Sequence, residues 1–169
     1  MTSHLDTIVQ FLRRIGIPVH TAHLPGDTFL PAVRIVGGGL DYDPQRLLTP
    51  GDLLHEAGHI AITPADIRPT LCDALDGQQP GAATDEVEAI AWSWAALVHL
   101  GLPGEVLFHP VGYKGQSAGL LMSYSLGVYP GAAGLAHLGL CELPAQAQAL
   151  KRSSTSDSSG YPAMLRWLR

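Results

Sequence analysis

Apolar residues recur along this chain at two spacings. Leu5, Ile8, Val9, Leu12 and Ile15 fall three and four apart, the period of a helix that buries one face. Ser3-His4-Leu5-Asp6 opens that helix, Arg13 and Arg14 mark its last turn, and Gly16 stops it. From Ile17 to Leu24 the pattern changes to alternation with β-branched residues, which predicts a strand on which His20 and His23 face opposite sides and share no metal. A loop at Pro25-Gly26-Asp27 comes next, then two further predicted strands, Val33-Arg34-Ile35-Val36 and Leu40-Asp41-Tyr42, joined through Gly37-Gly38-Gly39. The three glycines lack the spacing of a phosphate-binding loop, and a hairpin turn accounts for them.

Helical spacing returns at Leu53, Leu54, Ala57, Ile60 and Ala61. Thr49 as N-cap, Pro50 at the first helical position and Asp52 closing a capping box start this second helix, and Thr63-Pro64 ends it. A Pro-, Gly- and Asp-rich loop from Thr63 to Ala83 leads to a third helix, opened by Thr84-Asp85-Glu86-Val87-Glu88 and running to Val98. Apolar nearly all round, that helix belongs at the centre of the core. Beyond it come a short segment ending at Phe108-His109-Pro110, helices around Gln116–Leu126 and Ala132–Leu140, and a further short one from Pro144 to Lys151. The expected organisation is α+β, a small sheet of about three strands against several helices. Residues 1–150 form a single domain, 151–160 a mobile linker, and 161–169 a C-terminal amphipathic helix that docks on the domain or on a partner.

Composition narrows the function classes. With 169 residues the chain can bury a core without metal or disulfide staples. Its net charge of -5 and the absence of a long Lys/Arg cluster argue against direct nucleic-acid binding. Hydrophobic residues at 46% against 15% charged predict apolar surface, hence a homo-oligomer or a regulatory protein partner. Cys72 and Cys141 stand alone as ordinary thiols. No signal peptide is evident at the N-terminus, which predicts a cytoplasmic protein. The uncharged tract from Gly115 to Cys141 is broken by Gly127, Pro130, Gly131, Gly134 and His137, so two internal helices are expected rather than a membrane span.

Candidate chemistry centres on His55-Glu56-Ala57-Gly58-His59. Residues four apart share a helix face, so both imidazoles can aim at one Zn²⁺ ion. Glu56 sits about a hundred degrees round the helix from His55, badly placed as a ligand but able to serve as general base toward a water on the metal. Such a pattern also arises by accident, but here it falls on a helix with its own start and stop signals. A catalytic zinc needs a third protein ligand, and the acidic first turn of the third helix offers Glu86 and Glu88. Those carboxylates also complement the helix dipole, and spacing does not choose between them. His109 and Tyr113, in a Pro/Gly-bordered turn after that helix, are candidate oxyanion stabilisers. His99 and His137 are expected as hydrogen-bonded core residues.

The strand pair, the His-Glu-x-x-His helix and the acidic helix after it together resemble the gluzincin zinc metallopeptidases, most closely the IrrE/ImmA-type metallopeptidase domain. Glu86-Val87-Glu88-Ala89-Ile90-Ala91-Trp92-Ser93 falls onto that family's Glu-x-x-Ala-Asn-x-Phe-Ala pattern, departing from it at Ile90, Trp92 and Ser93. The resemblance covers roughly residues 31–98 and implies a zincin-like fold. It implies His55, His59 and Glu86 as the zinc ligands, Glu88 as the runner-up, and Glu56 as catalytic base. The expected function is hydrolysis of a peptide bond in a specific cytoplasmic protein. The rival expectation is a catalytically silent zinc-binding interaction module. A peptide substrate would add as a strand along the sheet edge.

Overall fold

A computed structural model describes residues 3–24, 30, 32–72, 86–144 and 160–169. The turn at Pro25, the loop and helix start at 73–85, the helix expected beyond Pro144 and the linker up to 159 lie outside them. The architecture is α+β, with a three-stranded mixed sheet and six helices among the described residues.

Helix α1 spans His4–Arg14, and Ser3 and Asp6 cap it reciprocally, each side chain accepting from the other's backbone N–H. Ile8, Val9, Phe11 and Leu12 form its buried stripe. The strand predicted from Ile17 to Leu24 is shorter, β1 at Val19–Thr21. Strands β2 (Val33–Val36) and β3 (Gly39–Tyr42) form the hairpin, with Val33 opposite Tyr42 and Ile35 opposite Leu40. Gly37 and Gly38 turn it at φ 56° and 74°, the left-handed pair that a two-residue hairpin turn requires. β1 lies parallel to β3 on its other side, giving the order β1-β3-β2.

Helix α2 spans Gly51–Ile62, and its start differs from the expected capping box. Pro50 occupies the cap position with no side-chain cap, and the Thr49 hydroxyl donates to the Asp52 carboxylate instead of accepting from a backbone amide. Helix α3 spans Glu86–His99 and is buried from Ala89 to Leu97. Its contact with α2 is close because Gly58 has no side chain: a Cβ there would stand 2.5 Å from the Ala89 carbonyl oxygen. Ser93 Oγ stitches the same contact, 2.8 Å from the Leu54 carbonyl oxygen and 2.7 Å from that of Ala89. These oxygens satisfy a hydroxyl that would otherwise be costly inside a core.

A second close approach, at Gly51, brings the chain after α3 back to the start of α2. The short helix α4 (Gly104–Leu107) lies so near that a Cβ at position 51 would run into the Val106 carbonyl. Helices α5 (Ser117–Ser125) and α6 (Ala132–His137) divide the uncharged tract as predicted. No helix of the described residues is long and apolar enough to cross a membrane.

Residues 161–169 are turns and a single bridge, from Cys141 to Met164, rather than the amphipathic helix expected from their apolar spacing. Tertiary contacts hold them in this form. The Trp167 ring meets Phe11 edge-on at 4.9 Å and Trp92 at 5.6 Å, and the Trp92 indole donates to the Trp167 carbonyl at 2.9 Å. The Tyr161 hydroxyl donates to the Ala91 carbonyl at 2.8 Å, and the Arg169 N–H to that of Ala61 at 2.9 Å. A helix in this segment would have to give up those bonds for its own.

Candidate metal centre

The α2–α3 contact brings three side chains together. His55 Nε2 is 3.5 Å from Glu86 Oε1, and His59 Nε2 is 3.2 Å from Glu86 Oε2. The two imidazoles stand edge to face with centroids 5.0 Å apart. All three residues offer ligand atoms within 4.8 Å of one another, a group that could hold a metal ion. Bonds of about 2.0–2.1 Å in a tetrahedral shell put neighbouring ligand atoms about 3.3 Å apart, and the two measured separations bracket that figure. The His55, His59 and Glu86 donors are thus spaced so that they could hold a metal ion.

Glu88, two residues along α3, points elsewhere. Gly134 of α6 packs directly on its carboxylate, so closely that a Cβ at 134 would overlap it. Its Oε2 is buried without a hydrogen-bond partner among the described residues. Glu86 is thus the acid that meets the imidazoles.

Electrostatics favour the ligand-competent forms. Burial, followed by the neighbouring His59, pulls the His55 pKa down to about 4 against the opposing charges of Glu86 and Asp52, so the ring is neutral at physiological pH. Burial works against ionisation of Glu86, but the His59 hydrogen bond and the charges of His55, His59 and Lys114 outweigh it and hold the carboxyl below its usual range. Glu56 is only 4% exposed.

His109 and Tyr113 also reach this region, through the turn that α4 delivers. His109 Nε2 donates to Asp52 Oδ1 at 2.9 Å, and both side chains are largely buried. That nitrogen is committed to the first turn of α2, and Nδ1 is buried without a hydrogen-bond partner among the described residues. Gly112 folds onto the same ring, since a Cβ there would lie 2.8 Å from His109 Cε1. Tyr113 then lays its ring edge-on against His55, centroids 5.4 Å apart, and against Phe108 at 5.3 Å. Burial, then the charges of Asp52, Glu86, Tyr124 and Glu56, push its phenol well above the ordinary range. It stays a hydrogen-bond donor at any working pH. Tyr113 and Lys114 are both left-handed, at φ 52° and 51°, a conformation that non-glycine residues hold only when their surroundings impose it.

The remaining histidines lie apart from the group. His20 Nδ1 is 3.8 Å from Asp41 Oδ1, and His23 Nδ1 is 3.3 Å from Asp43 Oδ2. His99 and His137, expected in the core, are exposed. The His99 ring packs beside Phe11 and Trp167 near the end of α3. Sequence reasoning missed the Asp52–His109 bond and the helix contact at Gly58. The second had a signal, a glycine lying between two ligand positions on an otherwise apolar helix.

No protein-family model matches this chain, and neither does any curated protein or solved structure.

Proposed function

We propose that this protein is a zinc-dependent peptidase of the gluzincin kind, hydrolysing a peptide bond in a specific cytoplasmic protein. The observation that carries the reading is the sharing of the two Glu86 oxygens between the Nε2 atoms of His55 and His59. Imidazole and carboxylate donors suit zinc. When bound, such an ion supplies Lewis acidity, making a water nucleophilic near neutral pH and polarising a carbonyl.

The chain's own residues would supply the rest. Glu56, next to His55 and turned off the ligand face, takes a proton from the attacking water and passes it to the leaving amine. Tyr113, whose phenol stays protonated beside these carboxylates, donates to the carbonyl oxygen as it gains charge. His109 has its Nε2 engaged by Asp52, so Tyr113 is the better oxyanion donor of the two. Strand β2 is an outer strand of the sheet and packs near α2, with Val36 at its end bridged to Cys72; an extended peptide can add along the rest of it.

A second reading, a zinc-bearing interaction module without turnover, draws on the exposed apolar side chains Met122, Leu126 and Val128 in and after α5. Zinc analysis together with casein digestion separates the two. The peptidase reading expects one zinc per chain, digestion by the wild type, and at least a hundredfold loss in Glu56→Gln with zinc retained. Equal and negligible digestion by both zinc-loaded proteins would leave the module.

A further inference from the structure

The turn from His109 to Gly115 is held against the metal centre more firmly than a connecting loop requires. The His109–Asp52 bond ties it to the first turn of α2. Gly112 is pressed on the His109 ring, and Ser117 Oγ donates to the Gly112 carbonyl at 3.1 Å. Tyr113 lies on His55. The result is a left-handed pair whose second member, Lys114, is exposed directly beside Tyr113; the Glu86 side chain is itself 46% exposed.

The surrounding charges make that lysine unusual. Asp52, Glu56 and Glu86 are the carboxylates near the imidazoles, and the Lys114 ammonium is close enough to help keep Glu86 ionised. Five other cations of the described residues are engaged elsewhere: Arg34 by Asp41, Arg13 by the Val19 carbonyl, Arg46 by that of Leu24, Arg68 by those of Ile60 and Thr63, and Arg166 by those of Leu138 and Gly139. Lys114 forms no ion pair within 4.0 Å among the described residues. Backbone strain held beside a site is characteristic of function, and an ammonium without an ion pair there can select a charged ligand.

We propose that Lys114 is the specificity residue of this centre, placed by the latched turn to receive a carboxylate of the substrate. The carboxylate is either an acidic side chain beside the scissile bond or a free C-terminal carboxyl group. The inference rests on the hydrolase reading and deepens it.

The test is binding rather than turnover. Three peptide hydroxamates, identical except that the residue after the chelating group is a Glu amide, a Gln amide or a Gln free acid, are titrated calorimetrically into the zinc-loaded protein. Wild type should bind at least one acidic member about 5-fold tighter than the Gln amide, with the advantage falling at high salt, and which member wins identifies the source of the carboxylate. Lys114→Asn, which suits a left-handed backbone, should reduce the preference to within about 1.5-fold, and Lys114→Arg should retain it. Equal binding of all three by wild type, or a preference that survives in Lys114→Asn, overturns the role of Lys114 while leaving the metal centre standing. A chain that takes up no zinc and binds no hydroxamate overturns both.

Discussion

Gly58 of α2 lies against the Ala89 carbonyl of α3, and this backbone contact sets the distance across which Glu86 meets His55 and His59. A Cβ at position 58 would stand 2.5 Å from that oxygen and 3.0 Å from Ser93 Oγ. The Ala89 oxygen is backbone, so the helices themselves must separate. Gly58→Ala should therefore cost about 1–3 kcal/mol of stability, as overpacking does. It should also weaken zinc binding, although residue 58 carries no ligand. Chemical denaturation and zinc titration of the variant check both effects. Unchanged zinc affinity in a destabilised protein would show that the site does not depend on this spacing.

The choice of third ligand gives a paired prediction. Glu86→Gln removes the charged oxygens that both imidazoles face, and should lower zinc affinity by more than the roughly 10–100-fold lost when only a supporting group is removed. Glu88→Gln should leave the affinity unchanged, because the Glu88 carboxylate is packed under Gly134, with one oxygen buried without a partner among the described residues. Competition with a chromogenic chelator reads both variants. A larger loss in Glu88→Gln would reverse the assignment.

The local periodicities carried much of the fold because they depend on near neighbours. The stripe of α1, its Ser3/Asp6 cap, the hairpin glycines and the helical setting of His55 and His59 all arise from residues within a turn or two of one another. What distant contacts decide was less legible. Spacing left Glu86 and Glu88 open, and α6 resolves them by covering Glu88. The last residues look amphipathic, yet the Trp167 contacts with Phe11 and Trp92 hold them in turns. Pro50 takes the cap position expected for Thr49, whose hydroxyl donates to Asp52. Asp52 reads as a capping acid, and its bond to His109 joins residues 57 positions apart.

Zinc binding should register as stability. A ligand that binds only the folded chain adds about 2.7 kcal/mol at a free concentration of a hundred times Kd. For a domain of this length that corresponds to a rise in Tm of roughly 5–10 °C. EDTA should reverse the rise, and His59→Ala should abolish it, since one of the two imidazoles that share Glu86 is gone. Scanning calorimetry of wild type and variant with and without zinc gives the result. An equal zinc-dependent shift in His59→Ala would place the ion elsewhere in the chain.

Tyr113 offers the sharpest division between holding a metal and using it. Its ring packs edge-on against His55, so Tyr113→Phe keeps that contact, and the left-handed backbone is no worse for phenylalanine than for tyrosine. Zinc content and Tm should stay close to wild type. In the proposed reaction the lost hydroxyl donates to the carbonyl oxygen as it gains charge, and removing such a donor costs about 10²–10³ in kcat. KM should change little if the hydroxyl contributes mainly as the carbonyl oxygen becomes negative. Casein digestion by Tyr113→Phe at the wild-type rate would remove Tyr113 from the chemistry and leave it a packing residue beside His55.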